Sequence, residues 1–289
     1  MNKRINVFFS IDENYIQHFT VAVTSLLENN CDILFDIYVI HNIRHLQNIE
    51  RVSHFLLDTY NVELKLINIA NVDFSRFTTN DNYTSATYFR LFLPDIIPAS
   101  VNGGLFLDSD IVVTGSIKNL IDIEIADHYI FAASEAFVAH NTIRLNKLGF
   151  NLKDYFNAGV MLINLQAWRQ GKLTEKFLQI ADEYMQKFEW YDQDILNVFF
   201  ANNWGHFDRK FNAVHLQNEQ PEIPVIVHFA SFSKPWHYVD THPYKYLYLM
   251  YLRLTPFRKS KPTGFSIMNF ILKNGRLFKR RLRKAGIIK

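Results

Sequence analysis

The sequence predicts an α/β protein in which helices flank a mostly parallel central sheet, followed by a basic helical C-terminal tail. Two kinds of segment alternate over the first 70 residues: short runs rich in Val, Ile and Phe, and longer stretches whose apolar residues recur every three or four positions. The first kind is typical of buried strands and the second of amphipathic helices. A β-α-β-α-β order predicts parallel strands with helices on both faces.

The first elements follow in order along the chain. Strands are predicted over residues 5–11, 35–40 and 62–67, with one helix around 19–27 and another over 45–57. Ligands of such sheets bind beyond the carboxyl ends of the strands. The polar cluster at residues 12–15 follows the first strand and occupies such an end.

Four later segments complete the prediction. Residues 86–93 are expected to form a helix that ends at Pro94, and residues 104–107 a buried strand. A long apolar run covers 156–165, and a late Val/Ile strand covers 225–229. Predicted strands and helices still alternate in these segments, which favours one α/β domain over two.

Composition limits the class of protein. Of the 289 residues, 48% are hydrophobic and 20% are charged, which is ample for a core and is not a disordered composition. The single cysteine, Cys31, excludes a disulfide framework and a four-cysteine zinc site. Neither a membrane-spanning run nor a signal peptide is recognisable, so we expect a cytoplasmic protein.

Charge divides the chain into two parts. Residues 1–240 contain 18 Lys and Arg against 28 Asp and Glu, a net charge of −10, whereas residues 241–289 contain 13 Lys and Arg and no acid. No repeat or low-complexity linker precedes residue 240. We therefore expect one α/β domain over residues 1–240 and a separate basic, aromatic segment over residues 241–289.

An acidic pair follows the predicted strand at residues 104–107. Asp108 and Asp110 are two positions apart, so both side chains point to the same side if the extended backbone continues. Two neighbouring carboxylates repel each other, and a divalent cation removes that repulsion. A solvated turn after the strand remains the alternative at this point.

His228 and Lys234 surround the end of the late strand. An imidazole added to two carboxylates suits Mn²⁺ better than Mg²⁺, because nitrogen ligands favour the later metal. Lys234 precedes a Pro-Trp turn, where its ammonium group is suited to neutralise phosphate. A lone histidine is also common as a structural residue, so this interpretation depends on the fold.

Two further segments place polar residues among apolar ones. Asn157 and Gly159 interrupt the apolar run, where the glycine permits either close approach of the backbone to a ligand or a bulge that Asn157 stabilises. Asp192, Gln193 and Asp194 begin a helical run, and capping explains at least one of these acids without any function.

Together these segments resemble the family 8 retaining glycosyltransferases, and most closely the bacterial hexosyltransferases that build the lipopolysaccharide core or oligosaccharide. The resemblance extends over about residues 5–236, which is most of the chain. The matching segments, in order, are residues 11–15, 86–91, 105–110, 155–159, 192–197 and 228–236.

The resemblance implies the GT-A nucleotide-sugar fold for residues 1–240 and a donor site for UDP-glucose or UDP-galactose. It implies that Mn²⁺, with Mg²⁺ as the alternative, is held by Asp108, Asp110 and His228. It implies nucleotide binding by Asp12, Asn14, Tyr15 and Lys234. It implies hexose binding by Arg90, Glu135, Asn157, Asp192 and Gln193. Ser231 departs from the family, which commonly has glycine there, close to the phosphate.

The resemblance also implies the type of catalysis. UDP leaves with its charge stabilised by Mn²⁺ and Lys234 rather than by a general acid. Retention of configuration requires either a covalent intermediate or attack from the face that UDP leaves. The catalytic position facing the sugar is Gln193, a poor nucleophile, with Asp192 beside it. We favour front-side attack, in which the departing phosphate oxygen takes the proton of the acceptor hydroxyl group. A covalent glycosyl-enzyme intermediate is the alternative.

The basic tail predicts a membrane-surface helix. Ile267, Ile271, Phe278 and Leu282 fall within a narrow arc of a helical wheel. The broadly opposite face carries Lys273, Arg276, Lys279, Arg280, Arg283 and Lys284. Aromatic residues precede this helix, namely Tyr244, Tyr246, Tyr248, Tyr251 and Phe257. We expect the segment to bind anionic lipid at the inner membrane, near a membrane-anchored glycolipid acceptor. The alternative is a basic helix packed on the acidic domain.

Two features of the sequence also suggest other functions, phosphate-ester hydrolysis and nucleic-acid binding. The Asp108-Ser109-Asp110 loop loosely matches haloacid-dehalogenase-like phosphohydrolases, but the Gly-Asp or Asp-Asp dipeptide that such enzymes use downstream occurs nowhere in the chain. The basic tail could bind nucleic acid, but the net charge of −10 on residues 1–240 would repel a polyanion. We therefore expect no nucleic-acid partner.

Overall fold

The computed structural model describes residues 4–79, 84–125 and 128–284, except for the side chains of Arg281, Arg283 and Lys284. Of these, Arg283 and Lys284 were expected on the basic face of the tail, so that part of the prediction lies outside the described residues. The strands are β1 (Arg4–Ile11), β2 (Leu34–His41), β3 (Leu64–Asn68), β4 (Gly104–Leu107), β5 (Ile111–Val113), β6 (Ile130–Ser134), β7 (Phe156–Ile163), β8 (Gly205–His206) and β9 (Ile226–His228). The helices are α1 (Ile16–Glu28), α2 (Gln47–Tyr60), α3 (Leu93–Ile96), α4 (Lys118–Ile121), α5 (Val138–Asn146), α6 (Leu165–Gln170), α7 (Leu173–Tyr184), α8 (Tyr191–Phe199), α9 (Lys245–Leu252) and α10 (Ile267–Lys284).

Seven strands form the central sheet in the order β3-β2-β1-β4-β7-β6-β8. The first four are parallel, β7 runs antiparallel to both β4 and β6, and β8 is parallel to β6. The predicted α/β class with a mostly parallel sheet is confirmed. A small antiparallel pair, β5 with β9, lies beside this sheet and pairs Ile111 with His228.

Buried side chains fill both faces of the sheet, because successive residues of a strand point to opposite sides. In β1, Phe8 packs with the cluster that includes Tyr88, Trp168 and Phe177, whereas its neighbour Phe9 packs against Phe19 of α1. The two cores fix the sheet between layers of helices. The carboxyl ends of β1 and β4 are thereby held at one edge.

One predicted helix has a different form. Residues Ser85–Phe92 form a 3-10 helix, and α3 follows it directly. Pro94 does not end a helix there, because it occupies the first turn of α3, where its missing N–H has no helical partner to lose. The expectation of a single helix ended by Pro94 was therefore wrong.

The aromatic residues after position 240 also differ from expectation. Tyr244, Tyr248 and Tyr251 are buried against Val21 and Val227 rather than turned towards a membrane. Their hydroxyl groups contact Gln220 N at 2.7 Å, His18 Nδ1 at 2.8 Å and Asn29 Nδ2 at 2.7 Å, respectively. The sequence could not distinguish these tyrosines from interfacial ones, since both environments offer an apolar side and a polar end.

Among the described residues, no helix has both the length and the apolar character needed to cross a lipid bilayer.

Candidate active site

Asp108, Asp110 and His228 form one cluster at the edge of the central sheet. Asp108 follows β4, Asp110 precedes β5, and His228 ends β9, so the β5–β9 pairing brings the imidazole to the acids. His228 Nε2 lies 3.2 Å from Asp110 Oδ1 and 3.7 Å from Asp108 Oδ2. Potential ligand atoms from the three residues all lie within 4.8 Å of one another. The structure thus brings together the three ligands expected from the sequence.

Lys234 pairs with one of the two acids. Its Nζ lies 2.6 Å from Asp110 Oδ2 and also donates to the backbone oxygen of Phe229 at 2.8 Å. Burial by itself raises the pKa of the Asp110 carboxyl, but the charges of Lys234 and His228 outweigh that effect and hold the pKa well below its usual range. Asp110 therefore favours its ionised form, which is the form that a metal ligand requires.

Arg90 joins the cluster to Asp192. Its Nη2 donates to Asp108 Oδ1 at 2.6 Å, and its Nε lies 3.0 Å from Asp192 Oδ2. The guanidinium group is buried over the ring of Phe106, with 4.4 Å between Cζ and the ring centroid. Burial favours loss of the proton, but Asp108 and Asp192 more than compensate and raise the pKa of Arg90. Arg90 thus sets the positions of two acids at once.

Asp192 is a buried acid that holds its proton more strongly than an ordinary aspartate. Burial and then the charge of Asp108 raise its pKa to about 7, against the opposing effect of Arg90. A carboxyl group of this kind exchanges its proton near neutral pH, which is typical of functional sites.

A prediction about stability follows from the pKa of Asp192. The native state binds a proton at Asp192 between pH 4 and pH 7, whereas the unfolded chain has released it near its ordinary pKa of 3.8. The free energy of unfolding should therefore fall with rising pH, relative to that of Asp192→Asn, by about 2–4 kcal/mol over this range. Urea denaturation of both proteins at pH 4.5 and 7.5 measures the difference. Parallel pH profiles would contradict a raised pKa.

Gln193 lies at the start of α8 with its amide fixed by neighbours. Its Oε1 accepts from Ala158 N at 3.0 Å, and its Nε2 donates to Tyr155 Oη at 3.2 Å. Tyr155 in turn donates to Asp194 Oδ1 at 2.6 Å, and Arg144 holds both oxygens of Asp194 at 2.8 and 2.9 Å. Asp194 also accepts from the backbone N–H groups of Glu189 and Trp190. Asp194 therefore holds the segment before α8 and is a structural acid, although no side chain caps the helix, while Asp192 faces Arg90.

The polar cluster after β1 forms another part of the site. Asp12 Oδ1 accepts from the backbone N–H groups of Asn14 and Tyr15, at 2.9 and 3.2 Å, and Oδ2 accepts from Thr84 Oγ1 at 2.7 Å. Tyr15 lies edge-on to Trp236, with 5.8 Å between ring centroids. His18, which the sequence analysis missed, stacks on Trp236 at 3.4 Å, and burial lowers its pKa to about 3. Its position three residues after Tyr15 on the helix was the available signal.

Glu135 and Asn157 meet beside the cluster of Asp108, Asp110 and His228. Asn157 Nδ2 donates to Glu135 Oε2 at 2.8 Å, and His215 Nε2 lies 3.4 Å from Glu135 Oε1. Burial tends to raise the pKa of Glu135, but hydrogen bonds from His215 and Asn157 outweigh it and lower that pKa. His215 and Asn212, which also contacts Asn157, lie in an irregular segment and carried no sequence signal.

A bulge, which was one of the two alternatives for the segment around Gly159, is present. The register between β6 and β7 shifts between Ala132 and Ala133, and Asn157 Oδ1 accepts from Gly159 N at 3.0 Å. A Cβ atom on Gly159 would overlap the ring of His228. The glycine therefore makes room for a side chain of the cluster, a role that the sequence alone did not distinguish from contact with a ligand.

A single cavity of about 800 Å³ connects these parts. All of the site residues expected from the sequence line it: Asp12, Asn14, Tyr15, Arg90, Asp108, Asp110, Glu135, Asn157, Asp192, Gln193, His228 and Lys234. Ser231 also lines it. The cavity therefore runs from an aromatic end at Tyr15 and Trp236, past the acidic cluster, to a polar end at Asn157 and Gln193.

Comparison with known proteins identifies the relatives of this chain. It is 32% identical over 249 residues to a lipopolysaccharide 1,2-glucosyltransferase of Escherichia coli, covering 80% of this chain and 73% of the relative. It is 28% identical over 260 residues to the lipopolysaccharide 1,3-galactosyltransferase of Salmonella typhimurium strain LT2, covering 85% and 77%.

The fold has a solved counterpart. The galactosyltransferase LgtC, in complex with donor and acceptor sugar analogues, aligns with a TM-score of 0.77 and 23% identity, covering 94% of this chain and all of LgtC. The fold is therefore the GT-A fold, as expected. The family model for Glycosyl transferase family 8 matches residues 6–240. This match leaves the phosphohydrolase and nucleic-acid-binding alternatives without support, and the chain belongs to glycosyl transferase family 8.

Proposed function

We propose that the protein is a metal-dependent, retaining hexosyltransferase that moves glucose or galactose from a UDP-sugar to a lipopolysaccharide or lipooligosaccharide acceptor. The observation that carries this proposal is the cluster of Asp108, Asp110 and His228 in the middle of one cavity, between an aromatic end and a polar end. Relatives named as a glucosyltransferase and a galactosyltransferase support both hexoses as candidates.

The ligand set of the cluster fits a divalent cation. Two carboxylates and an imidazole offer oxygen and nitrogen atoms within 4.8 Å of one another, which suits Mn²⁺, with Mg²⁺ as the alternative. When bound, the ion supplies positive charge that stabilises the diphosphate of UDP. Lys234 contributes a second positive charge beside Asp110, close enough to reach the same diphosphate.

The two ends of the cavity suit the two halves of the donor. We assign the uridine to Asp12, Asn14 and Tyr15, because an aromatic ring beside polar groups suits a base and a ribose. We assign the hexose to Arg90, Asn157, Asp192 and Gln193, with Glu135 behind Asn157. Polar side chains around a sugar form hydrogen bonds with its hydroxyl groups. A nucleotide sugar that lacks those hydroxyl groups leaves the side chains unpaired and therefore binds more weakly.

Front-side attack is the mechanism that these contacts favour. Gln193 is a weak nucleophile whose Oε1 already accepts from Ala158 N, and Asp192, with a pKa of about 7, retains its proton for part of the time. In front-side attack, the acceptor hydroxyl oxygen bonds to the anomeric carbon as the bond to the phosphate oxygen breaks. The hydroxyl proton passes to that phosphate oxygen, so no protein base is needed. Gln193 and Asp192 then act by stabilising charge on the sugar.

The reaction product tests this proposal. The protein is incubated with Mn²⁺, lipopolysaccharide of truncated core, and either UDP-glucose or UDP-galactose, and the new linkage is examined by NMR. We expect one of the two hexoses to be transferred in the α configuration, as in the donor. A β linkage would contradict retention, and transfer of neither hexose would contradict the assigned donors and acceptor.

We further propose that α10 binds the anionic surface of the inner membrane from the cytoplasmic side. One face of the helix lies against the protein: Lys273 Nζ is 4.3 Å from the ring centroid of Tyr238, and Arg280 Nη1 donates to Thr241 O at 3.3 Å. Ile267, Ile271 and Phe278 lie on the exposed side, with 78%, 59% and 61% of their surface accessible. Arg276 Nη1 also contacts the protein, at 3.4 Å from Val239 O, whereas Lys279 is exposed. An exposed apolar stripe with a cation near it suits a surface of anionic lipid.

This membrane proposal predicts the effect of removing the stripe. The double variant Ile271→Ser/Phe278→Ser keeps Lys273 and Arg280 and should reduce binding to vesicles of 30% phosphatidylglycerol by about tenfold or more, since each apolar side chain contributes roughly 1.5–3 kcal/mol on burial. Vesicle co-sedimentation measures binding, and UDP release without acceptor should change less than twofold.

A matched control uses exposed leucines elsewhere. Leu34→Ser/Leu57→Ser removes two side chains that are 43% and 47% accessible, outside the tail, and should bind vesicles like the wild type. A second test deletes the tail from residue 266 onwards, which keeps the backbone hydrogen bonds of Thr263 with Trp236 and Tyr238. Unchanged binding by the double variant and by the deletion would contradict the proposal.

A further inference from the structure

A chain of hydrogen-bonded side chains leads from His228 into the protein, away from the two acids. His228 Nδ1 contacts Asn212 Oδ1 at 2.9 Å, Asn212 Nδ2 contacts Asn157 Oδ1 at 2.9 Å, and Asn157 Nδ2 contacts Glu135 Oε2 at 2.8 Å. All four side chains are buried, each in a residue no more than 6% accessible. We call Glu135, Asn157, Asn212 and His228 the buried amide chain.

Backbone groups fix the direction of this chain. Gly159 N–H, which can only donate, contacts Asn157 Oδ1 at 3.0 Å, so the Nδ2 of Asn157 faces Glu135. The backbone oxygen of Asn157, which can only accept, lies 3.3 Å from Asn212 Nδ2, so the Oδ1 of Asn212 faces His228. An ionised carboxylate such as Glu135 is an acceptor and agrees with the same direction. Turning either side-chain amide over would place two hydrogen-bond donors, or two acceptors, opposite each other.

This direction decides which nitrogen of His228 carries a hydrogen. Because Asn212 Oδ1 is an acceptor, His228 Nδ1 must be the donor, and in a neutral imidazole the lone pair then lies on Nε2. Nε2 is the atom that faces Asp110 at 3.2 Å and Asp108 at 3.7 Å. The lone pair therefore points to the place that the proposed cation would occupy.

The backbone holds Asn212 in register with His228. Ala213 N donates to Ile226 O at 3.0 Å, and His228 N donates to Ala213 O at 3.1 Å. The segment with Asn212 thus runs along β9 and cannot shift without breaking that pairing. An orienting partner on the second nitrogen is what histidine ligands of metals commonly have.

We infer that Asn212 is a positioning residue that keeps the Nε2 lone pair of His228 directed at the cation, and that Glu135 acts on the metal site through the buried amide chain. This inference rests on the proposed function, since it requires a cation at Asp108, Asp110 and His228. It gives Glu135 a role other than contact with the hexose, and it adds Asn212 to the functional residues.

The test compares two substitutions at one position. Asn212→Leu has a similar size and no acceptor, whereas Asn212→Asp keeps an acceptor for His228 Nδ1. Mn²⁺ affinity is measured in the presence of saturating UDP, from the EPR signal of free Mn²⁺. We expect Asn212→Leu to weaken Mn²⁺ binding by about 10–100-fold, the usual effect of removing such a partner. Asn212→Asp should weaken Mn²⁺ binding less, by no more than about tenfold, because its carboxylate still accepts from the imidazole although it no longer donates to Asn157.

Asn30→Leu controls for lost stability. Asn30 is equally buried, and its side chain contacts Leu26 O and Ile117 N away from the cavity. All three variants should unfold at lower temperature, but Asn212→Leu should lose the most Mn²⁺ affinity and Asn30→Leu none. Equal losses in Asn212→Leu and Asn212→Asp, or wild-type affinity in Asn212→Leu, would overturn the inference.

Glu135→Leu tests the end of the buried amide chain that is farthest from His228. This variant can be measured even if Asn212→Leu does not fold. It should weaken Mn²⁺ binding several-fold, and in the Asn212→Leu background it should add little, because both changes act through one path. A residue that only binds the hexose would instead leave affinity for Mn²⁺ unchanged and weaken UDP-hexose binding. Failure of the wild type to bind Mn²⁺ with UDP would contradict the proposed function itself, so the two failures are distinguishable.

Discussion

Replacing Asp110 with Asn is expected to lower kcat for hexosyl transfer by about 10²–10³-fold, the scale typical of losing one charge-stabilising group in an active site. The substitution removes a carboxylate, proposed as a metal ligand, that lies 3.2 Å from His228 Nε2 and 2.6 Å from Lys234 Nζ. The proposed cation would be held more weakly, and Lys234 would lose the carboxylate that positions it. The rate is measured as UDP release from the preferred UDP-hexose at saturating Mn²⁺.

Asp36→Asn is a matched control for this substitution. Asp36 Oδ1 also contacts two cationic groups, Lys65 Nζ at 2.8 Å and Arg4 Nη1 at 3.1 Å, but it lies on β2 outside the cavity. We expect its kcat to stay within about twofold of the wild type, as is usual for surface ion pairs. Undiminished, Mn²⁺-dependent turnover by Asp110→Asn would exclude Asp110 as a metal ligand.

Replacing Gly159 with Ala is expected to have a similarly large effect without removing any polar group. A Cβ at this position would overlap Cε1 of His228 and would lie 2.7 Å from its Nδ1 and 2.8 Å from Asp108 Oδ2. Both side chains are proposed metal ligands, and a displacement of 1 Å in an active site can cost about a hundredfold in rate. We therefore expect both Mn²⁺ affinity and kcat to fall about a hundredfold or more.

Gly115→Ala provides the comparison. The nearest atom to a Cβ on Gly115 is Cγ1 of Val225 at 3.9 Å, an ordinary contact. This variant should keep the activity and the melting temperature of the wild type. If Gly159→Ala folds and also binds Mn²⁺ with unchanged affinity, the cluster of Asp108 and His228 is not the cation site.

Local sequence patterns predicted the strands of the first half well. β1, β2, β3 and β4 lie within two residues of their predicted bounds, because each is a short apolar run ended by polar residues. The antiparallel direction of β7 was not predictable in this way, since the same buried, two-sided strand pattern occurs in either direction. Direction depends on which strands become neighbours, and here β7 lies between β4 and β6.

The site residues likewise fall into those that local sequence predicts and those that depend on contacts between distant parts of the chain. Asp108 and Asp110 were recognisable from their spacing at a strand end, and the residues around the donor came from resemblance to the family. Asn212, His215 and His18 were missed because their contacts are made in three dimensions: Asn212 reaches Asn157, 55 residues away, and His18 reaches Tyr248, 230 residues away. Nothing in the segments around Asn212 and His215 marks such partners, and for His18 the spacing from Tyr15 indicates only its neighbour on the helix.

The tail shows why composition alone misassigns residues. Tyr244 and Tyr246 are two positions apart in the same aromatic run, yet Tyr244 is buried and Tyr246 is 48% accessible. The difference arises from helix α9 packing on α1, which turns one face of the run inwards. The basic helix that follows was predictable, because its apolar and charged residues keep a helical period.

The most direct test of the central claim is UDP release by the wild-type protein from a panel of UDP-sugars, without acceptor, in Mn²⁺ and in EDTA. The account predicts slow release from UDP-glucose or UDP-galactose with Mn²⁺, its loss in EDTA, and its return when excess Mn²⁺ is added. Release that continues unchanged in EDTA would contradict a metal-dependent transferase, and so would the absence of release from every UDP-hexose by folded protein with Mn²⁺.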